Sequence, residues 1–569
     1  MLSIPDVYRY FLETYYQLES QMDSDQSLES YFSDLWTAAH DQQVLHDPFE
    51  LKGMRSFVSA FAKRQGDHIV IVPDYDADGI TSGVLLAVGL SYFGFSHVDV
   101  LPPQVSWGFG FSKQTLQVIN EQYNDVDVIL TCDNGSNSSE AIRQAQDQGM
   151  TCFITDHHEP SEGDLPTPYH LNPHRVGDSY PFDGLSGAGV AFKFLCALGQ
   201  SLDFPFDVDW FIPLVGISTV ADMMPMLDEN RYFVSRACAL LSDAGFLANS
   251  RAYPKQVIAR LFEAYQALVS ADSDYEAGVT YQSFGFTFGP LLNTLRRLKG
   301  DPTLGFALFL DPNRSAVKIM QELVLLNDER KADVARAKKD FQQTLTAEDF
   351  DQRYVFVSES SRRGYAGLLA NDLVRQLGRP CVVLSEGSDR LYGSGRAPEG
   401  FNLTDLQEAL DEADWCYSFG GHAGACGLNI DRSGVDELND LMAGAFDGQE
   451  AKVQASFDLT KAHEATGLSY DDLVFSILPI QEALAPFGQA FPEPLFRLDV
   501  DFRRCDCRRI GKRKQHLKVS IDQLDVLYWN VPPLPKEPVL TFLGKVGENV
   551  YLGQSKAQFI VDKVFPVSS

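Results

Sequence analysis

The sequence predicts an α/β protein: a core built on a parallel sheet, joined by a long helix to a second α/β domain and followed by a small β-barrel. Three observations predict it. From Gln65 to Ala221 short apolar runs alternate with helical stretches, as in a βαβ series around a parallel sheet. From Asn313 to Arg363 neither Gly nor Pro occurs, and Val317, Met320, Val324, Asn327, Lys331 and Val334 recur at helical spacing. From about Phe457 the pattern changes to short strands broken by Pro and Gly.

A chain of 569 residues is too long for one ordinary core, and length alone suggests roughly three or four domains. The pattern divides it into a helical extension over 1–45, the parallel-sheet domain with a helical insert over 46–310, a connecting helix over 311–350, a second α/β domain over 351–450 and the barrel over 451–569. The hydrophobic fraction is 44% and the charged fraction 22%, as in a globular protein folded nearly throughout. No apolar run is long enough to span a bilayer, and the opening Met1-Leu2-Ser3-Ile4-Pro5-Asp6 lacks the basic and apolar regions of a secretory signal. A cytoplasmic, monomeric protein without membrane contact is expected. The nine cysteines are scattered, and Cys505 with Cys507 has no second pair to complete a zinc site, so reduced thiols are expected.

The formal net charge of −31 would repel a polyanion as a whole. Charges act locally, however, because screening sets in over about 8 Å at physiological salt. The segment from Arg503 to Lys514 concentrates Arg and Lys and could act as a basic groove, with Arg509, Lys512, Arg513 and Lys514 as candidate contacts.

The expected strands of the core are His68–Val72, Val126–Thr131 and Thr151–Thr155. Each runs almost directly into polar sequence: Asp74-Tyr75-Asp76-Ala77-Asp78-Gly79, Asp133-Asn134-Gly135-Ser136, and Asp156-His157-His158. Ligand sites of open α/β sheets lie at the carboxyl ends of the strands, so the three clusters should converge on one edge.

Asp74, Asp76 and Asp78 at alternate positions open like a calcium loop, but the twelfth position is Leu85 where a bidentate acid is required. Hard divalent ions such as Mn²⁺ or Mg²⁺ suit an acidic triplet with a histidine better. With eleven histidines in the chain, chance alone gives roughly 0.2 adjacent pairs, so His157-His158 gains its weight from following an apolar strand and Asp156. A further acid, Asp222, stands where an apolar helix gives way to the turn Met223-Met224-Pro225.

These four elements, in this order and at strand ends, resemble the DHH phosphoesterase superfamily, which hydrolyses phosphate esters and anhydrides with two divalent ions. The resemblance implies that Asp74 and Asp76 hold one ion, that Asp78, His157 and Asp222 hold the other, and that Asp133 bridges them. It places His158 at the scissile phosphate, and makes Asp133, His158 and Asp78 the residues closest to catalysis. It implies as cofactors two divalent ions, Mn²⁺ or Mg²⁺.

Over nearly the whole chain the pattern is similar to the RecJ single-strand exonucleases. His46-Asp47-Pro48, Asn172-Pro173, the run Leu185 to Lys193, Asn230-Arg231, Asn293 with Arg297, and Leu326-Asn327-Asp328-Glu329-Arg330 continue the match. Gly393-Ser394-Gly395-Arg396 and Gly420-Gly421-His422 resemble phosphate-binding elements of the DHH-associated domain, in which Ser394, Arg396, Gly420, Gly421 and His422 would meet phosphate along with Arg297. The C-terminal region from Leu484-Ala485-Pro486-Phe487-Gly488 through Gly511 resembles an OB-fold, with Phe491, Phe496 and Phe502 as candidate stacking platforms whose first alternative is a place in the core.

The resemblance thus implies a parallel-sheet DHH domain joined by a long helix to a DHH-associated α/β domain with a C-terminal OB-fold barrel. Its expected activity is 5′-to-3′ hydrolysis of single-stranded DNA in repair or recombination, with a helicase or single-strand-binding protein as cooperating partner. The alternatives are a DHH phosphodiesterase acting on RNA or short oligonucleotides, and a catalytically silent scaffold of a replication complex. Two positions depart from the RecJ pattern, Gln104 in place of an arginine and Arg362 in place of a histidine, and both bear on how strictly a 5′-phosphate is required.

Overall fold

The structure is a computed structural model that describes residues 37–566 except 109, 161–164, 206, 249–255, 272–277, 299–300, 347–348, 350–352, 359–364, 388–389, 399, 450–455, 512–513, 530, 532–533, 535–536 and 552–553. Most of the expected N-terminal helical extension, together with Arg362, Lys512 and Arg513, lies outside the described residues. The chain divides into two units, Met1–Asn293 with Asp301–Met320 and Gln454–Ser569 in one, and Thr294–Gly300 with Gln321–Val453 in the other.

In the first unit, β1 (Ile69–Pro73), β2 (Val98–Val100), β3 (Val128–Cys132), β4 (Thr151–Thr155) and β5 (His170–Leu171) form one sheet in the order β2-β1-β3-β4-β5, every pairing parallel. The strands Ile-Val-Ile-Val-Pro and Val-Ile-Leu-Thr-Cys are buried at every position. Such unbroken burial belongs to a parallel sheet covered on both faces, and it is why these segments read as continuous apolar runs instead of alternating ones. The first two expected strands begin one or two residues early relative to the observed ones. β2 and β5 are short and half-polar and were not legible.

The helix Ala77–Tyr92 follows β1 and is buried along most of its length, packed against the helices Gly187–Ser201 and Ile212–Ala221. Its sequence carries Gly and small polar residues in place of one apolar stripe, as a helix covered on several sides requires.

The C-terminal part of the same unit contains β11 (Ser456–Asp458), β12 (Leu495–Asp501), β13 (Asp506–Ile510), β14 (His516–Ile521), β15 (Leu524–Tyr528), β16 (Val539–Tyr551) and β17 (Gln554–Pro566), with the helices Leu459–Thr466 and Tyr470–Leu484 before β12. The sheet order is β11-β12-β16-β17-β15-β14-β13. Two of the aromatic residues expected as platforms are core: Phe491 is 1% exposed and Phe496 0%. Phe502 is half-buried against Phe542. Apolar packing under the strands claims all three.

The second unit contains β6 (Val355–Ser358), β7 (Cys381–Glu386), β8 (Leu391–Arg396), β9 (Cys416–His422) and β10 (Ala425–Ile430) in the order β6-β7-β8-β10-β9. Only β6 and β7 pair in parallel; the rest is antiparallel. One face is covered by the helix Val435–Phe446, whose Leu438, Met442 and Phe446 join Val355, Val382 and Leu428 in its core. The helix Ala316–Thr344 spans most of the Gly- and Pro-free stretch. Among the described residues no helix is long and apolar enough to cross a membrane, and all nine cysteines are free.

Candidate metal centre

β1, β3 and β4 are adjacent and parallel, so their carboxyl ends deliver Asp74, Asp133 and Asp156 side by side. The Asp74 amide donates to the Cys132 carbonyl and the Asp133 amide to the Thr155 carbonyl, which carries the sheet ladder into the acidic loops. Asn134 Nδ2 donates to the carbonyls of Val72 and Cys132 at 3.0 and 2.9 Å and ties the ends of β1 and β3 together.

Asp76 caps the helix Ala77–Tyr92, its Oδ1 accepting from the amides of Asp78 and Gly79. This is an ordinary use of Asp at a helix start, and it also sets the alternate-residue spacing of the three acids. Asp78 is itself bound at the start of another helix, Gly187–Ser201. Its Oδ2 accepts from the Gly187 amide at 2.7 Å, and its Oδ1 from the Ala188 amide at 2.8 Å and the Ser218 hydroxyl at 2.6 Å. A helix N-terminus favours a carboxylate both by its amides and by its dipole. Glycine is required at 187, because a Cβ there would lie 2.5 Å from the Cβ of Asp133.

Asp133 has φ of +60° and is 2% exposed. Burial, and then the carboxylates of Asp78, Asp76, Asp74 and Asp222, hold its carboxyl well above the usual range. His157 Nε2 stands 3.0 Å from Asp133 Oδ1, 3.5 Å from Asp222 Oδ2 and 3.6 Å from Asp78 Oδ2. Burial lowers its pKa and favours the neutral ring. Asp222 follows the last turn of the helix Ile212–Ala221 and is one-third exposed.

The donors fall into overlapping groups: Asp74, Asp76 and Asp133; Asp78, His157 and Asp222; and Asp133, His157 and His158, with the ligand atoms of each group within 4.8 Å of one another. Asp133 Oδ1 and His157 Nε2 are buried yet accept or donate no hydrogen bond among the described residues. Oxygen donors with a neutral imidazole are the donor set of hard divalent cations, and such cations would offset the concentration of carboxylate charge. The residues therefore fit a pair of divalent metal ions.

Asp156 is a residue whose part the sequence left unassigned. Its Oδ1 accepts from the amides of His157 and His158 and from His158 Nδ1 at 2.9 Å, and its Oδ2 from the Ser136 amide. Burial would raise this carboxyl, but the His158 hydrogen bond and both imidazoles reverse the effect and hold it well below the usual range. For His158 burial works downward and is outweighed by Asp156, which raises the ring to about 9. The signal was present in part, since an acid directly before two histidines stands within reach of their amides and rings.

The remaining expected contacts lie elsewhere. In the second unit Ser394, Gly427 and Gly420 share one rung of the sheet, and Arg396, Ala425 and His422 another, so that β8 and β9 flank β10 with the Ser-Gly-Arg and Gly-Gly-His segments at corresponding heights. Arg396 Nη1 donates to Ser394 Oγ at 2.6 Å and to the Gly395 carbonyl at 2.7 Å. Gly421 stands in the next rung, opposite Cys426. The side chains of Arg297 and His422 are outside the described residues. In the C-terminal sheet Arg509 is exposed on β13, and Lys514 is exposed in the turn after it. Trp529, unremarked in the sequence, is 48% exposed there with its ring edge-on to His516 at 4.9 Å.

Two family models match the chain, the DHH family N-terminal domain over residues 68–209 and the RecJ OB domain over residues 466–563. Among curated proteins, the single-stranded-DNA-specific exonuclease RecJ of Bacillus subtilis (strain 168) is 27% identical over 536 residues, which cover 91% of this chain and 64% of that protein. The protein of the same name from Escherichia coli (strain K12) is 27% identical over 560 residues, 91% of either chain. Among solved structures, RecJ in complex with Mn²⁺ from Thermus thermophilus superposes with a TM-score of 0.73 at 23% identity, covering 91% of this chain and 72% of that one.

Proposed function

We propose, for a chain that belongs to the RecJ-like branch of the DHH phosphoesterase superfamily, a 5′-to-3′ exonuclease that hydrolyses phosphodiester bonds of single-stranded DNA, working in DNA repair or recombination. The observation that carries this reading is the pair of three-donor groups that meet at Asp133 and His157. In this assignment Asp74, Asp76 and Asp133 hold one divalent ion, and Asp78, His157 and Asp222 the other, with Asp133 shared. Mn²⁺ or Mg²⁺ held there would acidify an attacking water and offset the charge developing on the phosphoryl oxygens.

The chain's own residues supply the orientation. The amides of Gly187 and Ala188 and the Ser218 hydroxyl aim Asp78 and leave part of Oδ2 toward His157. Asp156 Oδ1 accepts from His158 Nδ1, which orients the ring so that Nε2 is the nitrogen left to meet a phosphate. Attack of water on phosphorus then breaks the bond to the 3′ oxygen of the terminal nucleotide and releases a 5′-mononucleotide.

The C-terminal sheet supports a polymer substrate. In the β13-β14 ladder Ile510 pairs with His516 and, two rungs away, Arg508 pairs with Lys518, while the Trp529 ring lies edge-on to His516. Cations beside an exposed indole are the combination that follows a sugar-phosphate backbone and stacks on its bases.

The test is hydrolysis of end-labelled single strands of DNA and RNA, and of duplex DNA, with Mn²⁺, Mg²⁺ or a chelator. Release of mononucleotides from the 5′ end of single-stranded DNA, only with metal, is the expected result. Absence of metal-dependent release from any strand would overturn the assignment. Preference for RNA or for oligonucleotides of a few residues would overturn the substrate.

A further inference from the structure

Asp222 sits at the carboxyl end of the helix Ile212–Ala221. A carboxylate there faces the negative end of the helix dipole and gains nothing from the backbone. The next residue, Met223, has φ of +57°, a region that side chains other than glycine seldom adopt. The Met223 and Met224 amides close this turn on the helix's own Val220 and Thr219 carbonyls, at 3.2 and 3.0 Å, and further contacts fix the segment that leaves it.

The further contacts reach far along the chain. The Met226 amide donates to the Gln489 carbonyl at 2.7 Å, and Pro225 and Gln489 form a parallel bridge. Asn230 Nδ2 donates to the carbonyls of Pro225 and Gly184 at 2.9 and 2.7 Å. Its neighbour Arg231 is 0% exposed, donates to the carbonyls of Pro486 and Leu484 at 2.9 and 2.8 Å, and lies 4.6 Å from the centre of the Phe491 ring. Residues 484–491 lie within the segment matched as the RecJ OB domain. Withdrawing a buried guanidinium leaves the carbonyls it served without those donors, inside protein where water cannot easily replace them.

We infer that Arg231 is a positioning residue for Asp222: it clamps residues 484–491 against the turn 223–226, so that the OB region forms one wall of the metal centre in addition to any grip on nucleic acid. This rests on the proposed role of Asp222 as a metal ligand. Removing residues from Phe457 onward would accordingly disturb the metal centre as well as strand binding.

The test is Mn²⁺ binding to the full chain, stripped of metal and without substrate, followed by electron paramagnetic resonance of the free ion. Wild type should bind two ions. Arg231→Met should weaken one of them by about tenfold or more and leave the other in place, with Arg231→Lys between. Gly488→Ala should act in the same direction without removing a charge, because its Cβ would come 2.9 Å from Met226 Cε and 3.2 Å from Met226 Cβ. Asp222→Asn identifies which ion is affected. A merely structural Arg231 would lower the melting temperature and leave both binding midpoints unchanged; that outcome in folded Arg231→Met, or in Gly488→Ala should the former not fold, overturns the clamp. If Asp222→Asn itself binds both ions as wild type does, the failure lies in the ligand assignment.

Discussion

His157 Nε2 lies 3.0 Å from Asp133 Oδ1, both buried, with no hydrogen bond joining them. The neutral imidazole and the carboxyl group face each other among four further buried or half-buried acids, an arrangement that a cation stabilises and its absence strains.

Asp133→Asn should therefore act in opposite directions with and without metal. In chelator it removes a carboxyl whose ionisation the surrounding burial and carboxylates oppose, and the variant should melt above wild type. With Mn²⁺ the wild type should gain stability through binding and the variant should gain little. Hydrolysis should fall by several orders of magnitude. Thermal unfolding in both conditions, beside a turnover assay, checks all three.

Asp78→Asn should destabilise even in chelator. Asp78 accepts from two amides and a hydroxyl, and an amide nitrogen in place of one oxygen would face an N–H or O–H, at a cost of about 3 kcal/mol. Urea unfolding of the metal-free variant, compared with Asp133→Asn, should show opposite signs for the two carboxylates.

His170 should make the fold sensitive to acid. Its Nε2 lies 2.9 Å from Ser136 Oγ, which also accepts from Asn172 Nδ2, so the ring sits inside a buried polar network. Burial, followed by Arg175, lowers the ring to about 4. For a histidine whose folded pKa lies below its unfolded value, the unfolded chain binds the extra proton, so stability is lost as pH falls from about 6.5 toward 4. His170→Gln should flatten that part of the stability profile, by up to about 3 kcal/mol. An unchanged slope would show that other groups set it.

Trp529→Ala should weaken binding of long single-stranded DNA by about ten- to a hundredfold, the range expected for loss of a stacked base. Wild type and variant should bind an abasic strand of the same length equally. A loss on the abasic strand as large as on the normal one would assign the indole a structural role.

The strand ends were legible because β1, β3 and β4 are buried on both faces, and their apolar runs stop abruptly at Asp74, Asp133 and Asp156. Parallel pairing then dictates that the three loops share an edge. The ligand sets came with the family resemblance, not from periodicity. What the strand pattern could not contain is every relation between segments distant in the chain. Asp78 reads as one acid of a triplet, yet it is bound by the amides of Gly187 and Ala188. Arg231 stood out only as part of the family match, yet it is buried against the carbonyls of residues 484–486. Phe491 and Phe496 carried the apolarity expected of stacking platforms and are core, while Trp529 is exposed. Local sequence decides which residues alternate or recur, because strand and helix geometry are set by neighbours. Which face turns inward, and which buried charge meets which donor, is decided only when distant segments pack, since those contacts exchange water for partners that the chain supplies from elsewhere.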